Sequence, residues 1–367
     1  MPREPLEAIL LVGGQGTRLR PLTLSAPKPL LPTAGVPFLA HLLARSASCG
    51  VTHVVLATCY KSEMFAEAFG DGSAFGLSID YVQEDVPLDT GGGIRNAAGS
   101  LRSGPADPVV VLNSDILSGH DLSAQVDLHR KHDAAATLHL VEVPDPSRFG
   151  VVPTDESGRV TAFLEKTPDP VTNRINAGCY VFRREIIDQI PAGRRVSVER
   201  ETFPELIAAG ELVMGYPESA YWIDVGTPQT FVRGSCDLVL GKLPRSAVPG
   251  EAGPALLLAG AHVAPDASVT HTAWPVSPST CGSRPRAPES TSRARAGPSR
   301  CVSQCTVPRT STTLAWPVWS QHRLPRWSFA ETSLGIRPAA ADPSVSSSRR
   351  GAGASGPSRI QISPATW

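Results

Sequence analysis

The chain has 367 residues, 41% of them hydrophobic, enough for one large α/β domain plus a smaller unit around a sizeable core. No run of about 18 apolar residues occurs, which excludes a membrane-spanning helix, and the first apolar run follows acids and prolines and stops at Gly13, which argues against a signal peptide. The formal net charge of zero hides two different parts, because from His271 onward there are twelve Arg, no Lys and only three acids.

In chain order, Ala8–Val12 reads as a buried strand, followed at once by Gly13-Gly14-Gln15-Gly16-Thr17-Arg18. Phe38, Leu39, Leu42 and Leu43 give the apolar face of a helix that closes near Gly50. Val54–Ala57, Leu77–Val82 and Val109–Leu112 read as strands, the last running into Asn113-Ser114-Asp115. His129 and His132 lie three apart in a charged helical stretch and are expected on its solvated face, not on a metal. Phe149-Gly150-Val151-Val152 places a glycine at a strand start, and Ala177–Phe182 is a further strand. Thr227-Pro228 supplies an N-cap and a first-turn proline for a helix reaching about Leu240. The alternation predicts an α/β fold with a mostly parallel sheet and helices on both faces. The seven cysteines contain no Cys-x-x-Cys pair and are expected as free thiols of a cytoplasmic protein. Cys49, Cys59, Cys179 and Cys236 read as small buried hydrophobes.

Pro244–Pro254 is a linker rich in Pro, Gly and Ala, and Leu257, Val263 and Val269 then recur every six residues, the opening of a hexapeptide β-helix pattern. Residues 271–367 have no helical or strand period and hold five of the six tryptophans. Two readings fit that composition: a disordered basic tail, or a shift of reading frame near residue 270 that replaces the remaining repeats. Neither makes a nucleic-acid-binding module, since no fold positions the charges. The expected division is a catalytic domain over 1–242, a linker with a β-helix remnant over 243–270, and the tail over 271–367.

The chemistry is concentrated at the ends of the strands. A strand running into three glycines brings backbone N–H groups within reach of a polyphosphate, although a tight strand-to-helix turn has the same appearance. The loop is neither a Walker A sequence nor a Gly-x-Gly-x-x-Gly fingerprint. Arg18 and Lys28 add two positive charges at the same end. Asp115 closes one strand and Asp224 precedes a helix. Two carboxylates beside a phosphate loop form a hard oxygen site suited to Mg²⁺. Glu165 and Asn176 can hold vicinal hydroxyls and Lys166 can hold a phosphate, though Glu165-Lys166 alone would pass for a solvated strand pair. Glu84, just after the strand Leu77–Val82, can accept from both N1–H and the 2-amino group of guanine. Asp89 could take the same role.

Gly13-Gly-Gln-Gly-Thr-Arg-Leu-Arg-Pro-Leu-Thr with Pro27-Lys-Pro-Leu-Leu-Pro32 resembles the signature of the sugar-1-phosphate nucleotidylyltransferases. Asn113-Ser-Asp115, Ile175-Asn-Ala-Gly178, Ser197-Val-Glu-Arg-Glu-Thr-Phe-Pro204 and Trp222-Ile-Asp-Val-Gly226 narrow the resemblance to the mannose-1-phosphate guanylyltransferases, over roughly residues 6–240. It implies a Rossmann-like nucleotidyltransferase domain followed by a left-handed β-helix, of which only the first turn is legible. It implies GTP and mannose 1-phosphate as substrates and Mg²⁺ as cofactor, and leaves homo-oligomerisation open. It implies that Leu11, Gly13, Gly14, Gly16, Thr17, Glu84, Gly91 and Gly92 bind the nucleotide, and that Arg18 and Lys28 neutralise its phosphates. Gly150, Glu165, Lys166 and Asn176 would bind the sugar phosphate, with Asp115 and Asp224 on the metal. Asp89-Thr-Gly-Gly-Gly93 departs from the Gly-Thr-Ala-Gly more usual in the family. The alternatives are a thymidylyl- or uridylyltransferase acting on glucose 1-phosphate, and a non-catalytic subunit that senses sugar nucleotides.

Overall fold

The computed structural model describes residues 6–243 and 246–248 in full, together with the backbone of the two-residue strands at 250–251, 257–258, 305–306 and 359–360. The chain divides into two units, the first built on Met1–Ala252 and the second beginning at Gly253. Of the second unit the structure describes Leu257–Leu258 and an antiparallel pair, Cys305–Thr306 with Arg359–Ile360. Val263 and Val269 of the six-residue pattern lie outside the described residues, as does most of 271–367.

The first unit runs β1 (Leu6–Leu11), the hairpin β2 (Pro32–Thr33) and β3 (Val36–Pro37), α1 (Phe38–Ser48), β4 (Val51–Thr58), α2 (Glu63–Phe69), β5 (Ser78–Gln83) and α3 (Asp89–Ala97). Next come β6 (Pro108–Asn113), β7 (Ile116–Ser118), α4 (Leu122–His132), β8 (Ala136–Glu142), β9 (Gly150–Val151), β10 (Leu164–Glu165) and β11 (Arg174–Arg183). The unit closes with α5 (Arg184–Gln189), α6 (Phe203–Ala208), β12 (Val213–Pro217), β13 (Trp222–Asp224) and α7 (Pro228–Val239).

Four strands, β5-β4-β1-β6, are parallel, with Ile9 of β1 opposite Val55 on one side and Val111 on the other. Strands buried on both faces must be apolar at successive positions, which is why they read as continuous runs. In β1, Ala8 and Leu10 face the layer holding Leu39 of α1, Phe65 of α2 and Leu238 of α7. Ile9 faces the other layer, with Ile94 of α3, Ile187 of α5 and Phe203 of α6. The sheet is therefore sandwiched between helices, as the sequence predicts.

Beyond β6 the direction reverses. The second half of β11 pairs antiparallel with β6 through Cys179–Arg183, and its first half pairs with β9 at Ile175. Strand β8 accompanies β11 along its other edge, with a register shift between Asn176 and Tyr180, and β12 adds in parallel outside β8. A separate antiparallel ribbon, β7 with β13, sets Asp224 opposite Ile116.

Two expectations need correction. His129 is buried, because it lies on the inner side of α4 with its Nδ1 3.0 Å from the Thr137 hydroxyl, while His132 is exposed as expected. Cys49 and Cys179 are buried, but Cys59 is half-buried and Cys236 is exposed on α7. The segment Asp89-Thr-Gly-Gly-Gly93 forms the first turns of α3. Consecutive glycines cost a helix roughly 1 kcal/mol each, and here close packing requires them: a Cβ at Gly92 would stand 2.7 Å from the Arg194 carbonyl, and one at Gly93 2.6 Å from Glu84 Oε1.

Candidate active site

Strand β1 hands over to the glycine loop at Leu11. Gly16 has φ +58°, and a Cβ there would meet Thr23 Cγ2 at 2.9 Å and Lys28 Cβ at 3.0 Å, so the left-handed turn and the tight packing both call for glycine. Thr23, itself buried, donates its hydroxyl to the Gly16 carbonyl at 2.9 Å. The single turn Thr17–Leu19 follows, anchored by the buried Leu19. Leu11, Gly14, Gly16, Thr17, Lys28 and Ser114 line a cleft of about 260 Å³ at this end of the sheet.

Both candidate metal carboxylates reach the same place from different strands. Asp115 follows β6, and its carbonyl accepts the Val225 N–H at 2.9 Å, which draws the end of β13 against it. Lys28, almost buried, places Nζ 3.1 Å from Asp115 Oδ2. Asp224 Oδ1 is buried and has no hydrogen-bond partner among the described residues. Burial and then the charge of Asp115 push the Asp224 carboxyl above its ordinary value, while Lys28 and Arg18 pull it down. A Cβ at Gly226 would lie 2.9 Å from Asp224 Oδ1 and 3.0 Å from both terminal nitrogens of Arg18, so both groups pack against this glycine and leave no room for a side chain.

A second, larger cleft of about 1240 Å³ contains Gly150, Glu165, Lys166, Asn176 and Asp224. The β9–β10 pair sets Gly150 directly opposite Glu165. Lys166 has a left-handed φ of +52° and places Nζ 3.2 Å from Glu165 Oε1. Its side chain is 60% exposed, which leaves the charge accessible. Asn176 is held at both ends: its Nδ2 donates to Tyr180 Oη at 2.8 Å, and its Oδ1 accepts the Gly178 N–H at 3.1 Å. Trp222 donates Nε1–H to the Ala177 carbonyl at 3.0 Å and meets Phe149 edge-on, which ties β13 to the bulged part of β11. Arg18, Asp115 and Gly226 line both clefts, so the two cavities join at the charged cluster.

Four residues of the sequence-derived set line neither cleft. Gly13 faces Cys59, whose Cβ would be 3.2 Å from a Cβ at that glycine. The N–H groups of Gly91 and Gly92 both go to the Val196 carbonyl, at 2.8 and 3.2 Å. Glu84 is buried under α3, where Oε2 accepts the Leu88 N–H at 2.9 Å, and burial raises its carboxyl above the ordinary value. Asn113, Glu199 and Trp222, to which the sequence reading gave no role, are among the residues that line the large cleft. Each stands inside a quoted motif, but nothing in the local pattern says which motif residues face a cavity.

No helix among the described residues is long and apolar enough to cross a membrane. The nucleotidyl transferase family matches residues 7–239. A mannose-1-phosphate guanylyltransferase of Mycobacterium tuberculosis is 58% identical over 268 residues, which is 73% of this chain and 74% of the relative. Mannose-1-phosphate guanylyltransferase 1 of Arabidopsis thaliana is 38% identical over 271 residues, 73% of this chain and 72% of that one. The crystal structure of HddC from Yersinia pseudotuberculosis complexed with GMP-PN superposes with a TM-score of 0.54 at 27% identity, covering 64% of this chain and 99% of HddC. With its two-cleft geometry and these matches, the chain belongs to the nucleotidyl transferase family, in the group that holds the mannose-1-phosphate guanylyltransferases.

Proposed function

We propose that the chain transfers the guanylyl group of GTP to mannose 1-phosphate, giving GDP-mannose and pyrophosphate. The observation that carries this reading is the junction of the clefts: a glycine-lined cavity and a hydroxyl- and phosphate-ready cavity share Arg18 and Asp115. The 58% identical relative supports the choice of base and hexose.

The sugar phosphate needs no strong general base, because it is already an anion near neutral pH. Its difficulty is electrostatic, since it must attack another anion at the α-phosphorus. Catalysis therefore reduces to alignment and charge neutralisation. Gly14, Gly16 and Thr17 would cradle the triphosphate, and Arg18 would offset the charge that grows as pyrophosphate leaves. Lys166 would hold the incoming phosphate, while Glu165, Asn176 and the Gly150 amide would fix the hexose. Lys28, within 3.1 Å of Asp115, would orient that carboxylate as well as contribute positive charge.

The donor set fits Mg²⁺. Asp224 Oδ1 is a buried oxygen without a partner among the described residues, next to a second carboxylate that repels it, and a divalent ion resolves both costs. Asp115 and Asp224 would hold the ion, which when bound supplies neutralisation of the α-phosphate. Two protein ligands are few, as suits an ion that keeps waters and substrate phosphates around it.

Pyrophosphate release from the purified protein, with each NTP against mannose and glucose 1-phosphates, tests the reading. GTP with mannose 1-phosphate should give the highest kcat/KM. A preference for UTP or dTTP with glucose 1-phosphate would replace the proposed substrates while keeping the chemistry.

A further inference from the structure

Glu199 lies in the turn Val198–Thr202 and lines the large cleft. One of its oxygens, Oε2, accepts two hydrogen bonds, from the Thr90 hydroxyl at 2.7 Å and the Ser197 hydroxyl at 2.8 Å. Thr90 is itself pinned, because its oxygen also accepts the Val198 N–H at 3.0 Å. The carboxylate is thus oriented from two segments at once, and among the described residues it forms no ion pair and nothing donates to Oε1. Its negative charge also helps to raise the buried Tyr180 phenol, the group that holds Asn176, so the carboxylate stands close to the hexose-binding amide.

An unpaired carboxylate in the wall of a cleft built for anions is informative about the ligand. It accepts hydrogen bonds only, and it repels phosphate, so it belongs where the substrate is neutral and rich in hydroxyls. Glu199 lines the cleft of Glu165, Lys166 and Asn176 and not the glycine-loop cleft, which favours the hexose over the ribose.

We propose that Glu199 is a second hydroxyl-reading carboxylate of the sugar site: Oε1 accepts from one ring hydroxyl of the hexose 1-phosphate, and Thr90 and Ser197 act as positioning residues that aim it. The inference rests on the proposed sugar-phosphate chemistry and adds a specificity contact to it.

The test pairs a variant with trimmed substrates. In Glu199→Ala, kcat/KM for mannose 1-phosphate should fall about 10- to 100-fold, the range expected for losing a hydrogen bond to a charged group, mainly through KM for the sugar phosphate. The loss should disappear for one monodeoxy mannose 1-phosphate, the analogue lacking the hydroxyl that Glu199 reads, and persist for the others. Thr90→Val and Ser197→Ala keep the carboxylate and should show a smaller loss with the same analogue pattern. An equal loss for every monodeoxy sugar in all three variants would mean a purely structural role and overturn the proposal. A loss that instead vanishes with 2′-deoxy-GTP would move the contact to the ribose and overturn it too. Should the wild type prefer another NTP and hexose 1-phosphate, the same cycle runs on that pair, so failure of the substrate assignment stays distinguishable from failure of the Glu199 contact.

Discussion

The two halves of the sheet build their ends of the cleft by different means. In the parallel half the strands stop in register, and the glycine loop of Gly14, Gly16 and Thr17 lines the cavity at their carboxyl ends together with Arg18 and Lys28. In the half around β11 a bulge between Asn176 and Tyr180 turns a core strand into a row of side chains, and short strands such as β9 and β10 bring up Gly150 and Glu165. A loop of main chain can recognise what all nucleotides share. Individual side chains can distinguish one hexose from another. Asp115 and Asp224 sit where the halves meet, and substitutions there should cost most.

Asp115→Asn and Asp224→Asn should each lower turnover by about 10²–10³, the usual consequence of losing one well-placed electrostatic group. The double variant should cost little more than either single one, because in the proposed site both groups serve one ion. Rates measured across Mg²⁺ concentration check this, and near-normal turnover at limiting Mg²⁺ in either single variant would sink the paired role.

Lys166→Met should sharpen the division between halves by raising KM for the sugar phosphate about tenfold or more, with little change for the nucleotide. Arg18→Met, at the junction, should lower kcat instead, since its charge matters most as pyrophosphate departs. Equal effects of the two variants on both substrates would mean that the phosphate sites are misassigned.

The glycine loop offers a test within one half. Gly16→Ala forces a side chain into a left-handed position, worth about 1–2 kcal/mol, and against Thr23 and Lys28, so the melting temperature should drop. A Cβ at Gly14 would meet nothing within 4 Å, so Gly14→Ala should leave the melting temperature alone and weaken nucleotide binding only. Equal melting shifts in the two variants would contradict the packing.

A pH dependence of stability comes from the buried histidines, three of them around β8, with His41 of α1, also lowered by burial, acting in the same sense. Burial lowers His129 to about 4 and His139 to about 3, and holds His120, stacked on His139, well below its ordinary value. These groups stay neutral in the fold but protonate near 6.5 once unfolded. The unfolded chain then binds more protons, so stability should be full above about pH 6.5 and fall as pH drops towards 4. Asp224 and Glu84, whose carboxyls are raised, act in the opposite sense and blunt the slope. Urea midpoints between pH 7.5 and 5 measure it, and a flat profile in wild type would refute the assignment.

Legibility in the sequence follows the same division. Ala8–Val12, Val54–Ala57 and Val109–Leu112 were readable because strands covered on both faces must be apolar throughout. Strand β8 was not: Thr137 and His139 interrupt its pattern, and each meets a ring from another element, Thr137 that of His129 on α4 and His139 that of His120. The pairing between α4 and β8 is what buries His129, and the charged pattern of its helix does not carry it. Helix α3 escaped notice because its glycines satisfy a contact with Arg194 and Val196 that no local pattern carries. At the site, Asp115 and Asp224 could be named from their motifs, but their meeting through the β7–β13 ribbon is a matter of topology. For Glu84, the sequence suggested a polar contact, and the position under α3 depends on how tightly that helix packs.

The residues common to both clefts also carry a thermodynamic consequence. An anion placed in either cavity changes the potential that Arg18 and Asp115 present to the other, so the two binding equilibria cannot be independent. Whatever factor the nucleoside triphosphate imposes on the affinity of the sugar phosphate, the sugar phosphate must return to the triphosphate unchanged. Cooperation between the two ligands, or antagonism, is thus a single free energy of coupling, and its sign depends on how far the shared guanidinium outweighs the repulsion between the two phosphates it faces.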